Sequence, residues 1–316
     1  MSEQVKVKTN GKKNKTFAEH WQMLLMALPG IGLMFLFNYL PMFGTVIAFK
    51  RYKVKQGIFG SAWMKPLFRN FEILFRKNSQ AIVAIRNTLF LNFLFITVGT
   101  LFAVFLALMF NEINNRAYKR ITQSLSFLPY FISTVVVGIF ASSLLGYESG
   151  TINALISAAG GEKINFYASP GMWPAIMLIV NIWKGAGYSS VVYLAAITGI
   201  DAAYYEAARI DGATKPDEIR YITLPLLMPT IIVMTLLAIG KIMNADFGLF
   251  YNVTADNPNL YPTTDVLDTY IYRTLRQTGD MGISSAVGLF QSTCSLILVL
   301  ISNAVARRID ENSALF

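Results

Sequence analysis

The chain has 316 residues, 54% of them hydrophobic and only 14% charged, whereas a soluble domain carries about 25% charged residues, so the bilayer is the expected solvent. The formal net charge is +9, but the basic residues fall in a tail and in loops beside apolar runs, which favours anionic lipid head groups over nucleic acid as their partner. A single Cys, Cys294, and a single His, His20, leave no basis for disulfides, a structural metal site or a Cys/His nucleophile pair; Cys294, inside an apolar run, reads as a small buried hydrophobe.

Residues 1–20 carry Lys6, Lys8, Lys12, Lys13 and Lys15 among few apolar residues, the composition of a disordered tail. The charge-free run 22–49 is too long for a signal-peptide core and lacks a small-residue cleavage site, so it is expected to stay as a first span, tilted or broken near Pro29 or Pro41. Segment 50–86 mixes nine Lys and Arg with Trp63, Phe68, Phe71 and Phe75, a pattern that suits a helix or turn lying flat at the membrane surface. A second span is expected at 87–110, where Gly99, Ala103 and Ala107 form a small-residue stripe that lets another helix approach closely.

A short basic loop at 111–120 leads to a third span at 121–147 and then to a connector with Gly160, Gly161 and Pro170. The fourth span, 172–195, contains Lys184, and the fifth, 224–246, contains Lys241. After a loop with Pro258 and Pro262, the sixth span runs over 281–306 and is closed by Arg307 and Arg308. The expected fold is all-α: a polytopic membrane protein with six transmembrane helices in one domain, 21–310. Loop charge leaves its orientation open, because the side bearing both tails has 13 Lys and Arg against 12 opposite.

Between the fourth and fifth spans lies a polar stretch, 201–223, running into Pro225. Glu206 to Pro225 reads EAARIDGATKPDEIRYITLP. Ala203, Tyr204, Ala207, Ala208 and Ile210 make a helix turn with a small, partly apolar face, and Glu206 and Arg209 stand three apart on its polar flank. Gly212 is placed to end that helix at positive φ. Thr214 with Asp217 resembles a capping box, and Pro216 suits a first turn, so a second short helix follows. A helix pair with a small-residue face is shaped either to enter a cleft on a partner or to serve as an ordinary interfacial connector.

The spacing Glu206-Ala207-Ala208, three residues, Gly212, nine residues, Ile222, one residue, Leu224-Pro225 resembles the EAA signature of the membrane subunits of ATP-binding-cassette importers. The stretches from Asn181 (NIWKGAGYSSVVYLAAITGIDAAYYEAARIDGA) and from Gly288 (GLFQSTCSLILVLISNAVARRI) are similar to the carbohydrate-uptake branch, especially permeases for oligosaccharides derived from polysaccharides. The resemblance implies that the polar stretch is a cytoplasmic coupling helix docking in an ATPase cleft, with Glu206, Ala207, Ala208, Asp211, Gly212, Ile222, Leu224 and Pro225 forming the contact and its turn. It also implies a multi-pass protein of the bacterial cytoplasmic membrane with both termini cytoplasmic. Its partners would be a second permease subunit, two ATPase subunits and an extracytoplasmic solute-binding protein. ATP and Mg would be bound by the ATPase, in keeping with the lack of a G-x-x-x-x-G-K-[ST] loop here, and the chain itself would be no enzyme and carry no cofactor.

Charges inside spans are candidates for function because an unpaired charge at midplane is costly. Trp183, Lys184 and Tyr188 on the fourth span, and Asn244, Asp246 and Tyr251 near the end of the fifth, offer the mixture of aromatic faces and hydrogen-bonding groups that holds a saccharide; core packing, interfacial belting and snorkelling are the alternatives. A different function class, an ion-coupled secondary transporter, would use Lys184, Lys241 and Asp246 as its coupling site. A third, a non-transporting scaffold or receptor, would use none of them.

Overall fold

The computed structural model describes residues 16–77 and 79–309; most of the expected tail, residues 1–15, lies outside them. Among the described residues the regular structure is helical, apart from one isolated antiparallel bridge between Lys50 and Trp63. Nine helices matter here: α1 (Thr16–Met34), α2 (Gln80–Glu112), α3 (Arg116–Phe127), α4 (Thr134–Leu145), α5 (Trp173–Thr198), α6 (Ala202–Ile210), α7 (Lys215–Ile239), α8 (Phe247–Val253) and α9 (Met281–Ile309). Five stretches are long and apolar enough to cross a membrane: Leu25–Phe49, Gln80–Glu112, Pro170–Thr198, Lys215–Ile239 and Met281–Arg308. The bent pair Arg116–Phe131 and Thr134–Leu145 makes a sixth when counted as one span.

The first span is continuous over Leu25–Phe49, and its helix changes pitch at Pro41 rather than at Pro29. Pro29 stays inside α1, whereas the turn before Pro41, Phe35–Tyr39, widens to a π-helix, as expected where a proline supplies no N–H to the carbonyl four residues back. The same device recurs at Ile219–Thr223, just ahead of Pro225. The charged stretch after Gly212 is therefore no separate helix: it is the opening of α7, which runs unbroken from Lys215 into the fifth span.

The third apolar run is not a straight span. Its two halves meet at 95°, with Pro129 in the last turn before the corner and the Ser133 hydroxyl accepting from Val135 N–H to restart the chain as α4. The freed carbonyls at the corner are taken up by α5, whose Lys184 Nζ donates to Tyr130 O and Ile132 O at 3.0 Å each. Non-helical backbone at membrane depth is tolerated only where it is buried in protein or lines a water-filled cavity.

The fifth span ends early for the same kind of reason. Helix α7 stops at Ile239 rather than continuing to 246, and side chains from other helices satisfy the unwound backbone beyond Gly240. Asn92 Nδ2 donates to Ile242 O (2.7 Å) and Asn244 O (3.1 Å), Gln291 Nε2 donates to Met243 O (2.8 Å), and Asp268 accepts from Ala245 N–H (2.8 Å).

Helix α2 packs along α5. Ala103 and Ala107 of the small-residue stripe are fully buried against Tyr193, Leu194 and Ile197, with Leu227 of α7 closing the cluster. Two glycines bring α4 and α8 together: a Cβ on Gly138 would lie 2.5 Å from Asn252 O, and one on Gly248 would lie 2.7 Å from Thr134 Oγ1. The loop between α8 and α9 is pinned by buried Arg273, which pairs with Asp265 (2.5 Å) and Asp256 (3.3 Å) and lies 3.8 Å over the Tyr261 ring. Of the basic segment 50–86, residues 80–86 belong to α2, and residues 50–77 form a string of short turns, not one helix, held to the end of the first span by Asn70, whose Nδ2 donates to Ala48 O and Lys50 O.

Candidate functional site

Polar chemistry gathers in the hairpin joining α5 to α7 and in a cavity between α2, α5 and α7. In the hairpin, Asp201 caps α6 by accepting from Ala203 N–H at 3.0 Å, and the helix closes in a Schellman turn. Ala213 N–H donates to Ala208 O, Gly212 N–H donates to Arg209 O, and Gly212 sits at φ +85°, the left-handed geometry for which glycine pays no Cβ penalty. Thr214 then opens α7, its backbone N–H donating to Asp217 Oδ2 at 3.0 Å and its hydroxyl bonded to the same carboxylate, which realises the capping box.

A residue outside the signature fixes the hairpin's angle. Glu218 is 4% exposed. It accepts from Arg209 Nε at 2.6 Å and Nη2 at 3.3 Å across the turn, and from Lys215 Nζ at 3.0 Å. Lys215 in turn reaches Glu112 at the end of α2, 3.4 Å away, and Tyr205 OH meets Thr223 Oγ1 at 2.9 Å. Arg209 thus turns to Glu218 and not to Glu206. Among the described residues Glu206 has no ion pair, and it is exposed, as are Ala207, Asp211 and Gly212, with Ala208, Ile222 and Leu224 half-buried and Pro225 exposed. Exposed Tyr204, Ile210 and Tyr221 complete an apolar surface beside the free Glu206 carboxylate. Sequence reasoning missed Glu218 because, although Lys215 stands at helical spacing, the partner across the turn, Arg209, lies nine residues away.

The cavity has a volume of about 410 Å³ and is lined by Asn92, Thr100, Asn181, Ser189, Lys241 and Asn244, with small Gly99 and Gly185 leaving the space open. Of the six residues expected along a pathway, the structure brings Asn244 here, where its Oδ1 accepts from Ser295 Oγ at 2.9 Å. The other five stand elsewhere. Trp183 lines an apolar groove with Val137, Phe140 and Ile179. Lys184 clamps the corner described above. Tyr188 stacks on Tyr130 with centroids 4.3 Å apart. Asp246 caps α8 by accepting from Leu249 N–H, and Tyr251 packs with Phe247 and Tyr272. Two of the three charges that an ion-coupled carrier would need, Lys184 and Asp246, are thus spent on backbone groups. Asn92 and Asn181 were not singled out, since a neutral amide inside an apolar run leaves no charge signal.

A bundle of five or six candidate spans, carrying a charged, braced hairpin at one end and a polar cavity among its helices, defines the class of polytopic membrane permeases. Residues 99–311 match the family described as binding-protein-dependent transport system inner membrane component, and the chain belongs to that family. It is 36% identical over 289 residues, 92% of this chain and 88% of the relative, to the polygalacturonan/rhamnogalacturonan transport system permease protein YteP of Bacillus subtilis (strain 168). It is 34% identical over 93% of its length, and 90% of the relative, to protein LplB of the same organism. Among solved structures, a chain of a bacterial ABC transporter involved in the import of the acidic polysaccharide alginate matches with a TM-score of 0.84 and 36% identity, over 94% of this chain and 98% of that one. The same transporter type in complex with an alginate pentasaccharide-bound periplasmic protein matches at 37% identity, also with a TM-score of 0.84, over 93% of this chain and 97% of that one. The resemblance to importer permeases read from the EAA stretch is borne out.

Proposed function

We propose that the chain forms one half of the translocation pathway of an ATP-driven oligosaccharide importer, with α6 docked in a cleft of the ATPase on the cytoplasmic side. The observation that carries this reading is the bracing of the hairpin: through Glu218, Arg209 and Lys215 the exposed EAA face is tied both to α7 and to the end of α2. A push on α6 therefore reaches two spans as one rigid displacement, which is what rocking between inward-open and outward-open states requires. The cavity beside these two helices supplies amides, hydroxyls and a cation, the groups that meet sugar hydroxyls, and a second permease subunit would complete its open side. An extracytoplasmic binding protein would deliver the saccharide, and both termini would lie in the cytoplasm. The relatives that act on polygalacturonan, rhamnogalacturonan and alginate favour oligosaccharides cut from polysaccharides as cargo.

The test is Gly212→Pro in the assembled transporter. Proline cannot adopt φ +85°, so the turn must open and α6 must lose its angle. Binding-protein-stimulated uptake into proteoliposomes is expected to fall at least about tenfold while basal ATP hydrolysis persists, the loss corresponding to ~1.4 kcal/mol or more of coupling. Normal uptake by this variant would overturn the reading.

A further inference from the structure

At the end of the molecule opposite the hairpin, segment 50–79 and the start of α9 enclose a cleft of about 700 Å³. The two ends are well apart: the 33 residues of α2 run from Gln80, beside this cleft, to Glu112, beside the hairpin, which at 1.5 Å per residue is about 50 Å and more than the ~30 Å hydrocarbon core. The walls of the cleft are built rather than loose. Buried Asn70 holds two carbonyls of the first span's end. Arg51 N–H donates to Ala62 O, and Met64 N–H donates to Phe49 O. Lys50, 5% exposed, donates to Ile58 O at 2.7 Å and lies 4.9 Å over the Trp63 ring.

Arg51, Lys65, Arg69 and Arg76 line this cleft, and among the described residues none of the four has a carboxylate partner. Glu72 and Asp280 also line it, Asp280 accepting from Ile283 N–H at the head of α9, so four cations face two carboxylates and the lining keeps an excess of positive charge. That excess favours an anion in the cleft. Next to them the segment bares large apolar side chains, Phe59 at 95%, Phe75 at 74% and Trp63 at 56% exposure, along with Phe68. Each such ring is more stable out of water. Aromatic rings and cations in this arrangement belong at the boundary between acyl chains and head groups. A phospholipid meets the cations with its phosphate and the rings with its acyl chains; an acidic saccharide, which also stacks on aromatic faces, is the competing occupant that the test separates.

We propose that this cleft is a binding site for an anionic phospholipid of the outer leaflet, its phosphate held by Arg51, Arg69 and Arg76 with Lys65, and its acyl chains lying against Phe59, Phe68 and Phe75. The site locks the connection between the first and second spans to the start of α9, and it is independent of the identity of the cargo. Native mass spectrometry of the full chain, purified with its accompanying subunits, tests it with added phosphatidylglycerol and, separately, phosphatidylcholine. The expected result is one tightly held phosphatidylglycerol, bound roughly a hundredfold more weakly by the Arg51→Gln/Arg69→Gln/Arg76→Gln variant, at about fivefold per cation, with phosphatidylcholine binding equal in both. Should the triple variant fail to fold, Arg76→Gln alone is expected to lose about fivefold on the same scale. Equal phosphatidylglycerol occupancy in the wild type and in a folded variant would overturn the proposal. So would displacement of the lipid by millimolar inorganic phosphate or by trigalacturonate, which would assign the cleft to a free anion or to an acidic saccharide.

Discussion

Glu218 stands where three elements meet, and its surroundings show how a charge is made to serve position rather than chemistry. Its carboxylate is out of water, held by a guanidinium from α6 and an ammonium from its own helix that also touches α2. Glu218 is the buried member, Arg209 and Lys215 being about half exposed, so losing Arg209 leaves a buried carboxylate short of a partner, whereas losing Glu218 frees the two cations that brace the hairpin. Glu218→Gln keeps the shape and removes the charge, so it is expected to leave the subunits assembled and hydrolysing ATP while lowering saccharide taken up per ATP several-fold, measured side by side in proteoliposomes. Arg209→Gln should do the same, and the double variant should be little worse than either single one, because the two residues act as a unit. Lys184 makes the contrasting case. Its ammonium satisfies two carbonyls at the corner between α3 and α4, so Lys184→Met should cost about 1–3 kcal/mol for each carbonyl left without a donor. The loss is read as a lowered midpoint of thermal unfolding in detergent.

Helix α5 presents two glycines whose surroundings differ, and they separate packing from pathway. A Cβ on Gly187 would run into the Ser126 carbonyl of α3, whereas one on Gly185 meets nothing within 4 Å and faces the cavity. Gly187→Val is accordingly expected to destabilise the protein by about 1–3 kcal/mol through overpacking. Gly185→Val should leave the thermal midpoint in place and slow uptake by narrowing the cavity; the pair is compared by thermal unfolding and transport on the same preparations. The elements themselves were largely legible in the sequence, because each run of ~20 apolar residues has one economical structure in lipid. What hid the corner in the third run is that hydropathy counts apolar residues and does not register where Pro129 and Ser133 let the chain turn. The early end of α7 was hidden likewise, since Asn92, Gln291 and Asp268 reach its unwound backbone from other parts of the chain. In the hairpin, Gly212 and Thr214 announced the turn through local rules, while Glu218 and the cavity amides depend on which helices become neighbours.

On the scale of the whole molecule, the first span stands out: only 6% of its best apolar window is buried within the chain, against 22% for α2. Its flank, from Met26 to Phe43, is bare on nearly every side. On the reading proposed above, a span with so few neighbours within its own chain is set in place by lipid and by the second permease. The chain purified alone is therefore expected to unfold several degrees lower than the same chain purified with a second permease, since a partner that binds only the native form stabilises it by mass action.

The corner clamped by Lys184 limits where motion can occur. Lys184 fastens α5 to the corner, Gly187 seats it on α3, and paired glycines seat α4 on α8, so these four helices share one set of rigid-body coordinates. Few internal degrees of freedom remain among them. On the proposed mechanism, the play that alternating access demands is left to the seam where the cavity opens between α5 and α7, whose far end hangs from four side-chain hydrogen bonds in place of a continuous helix.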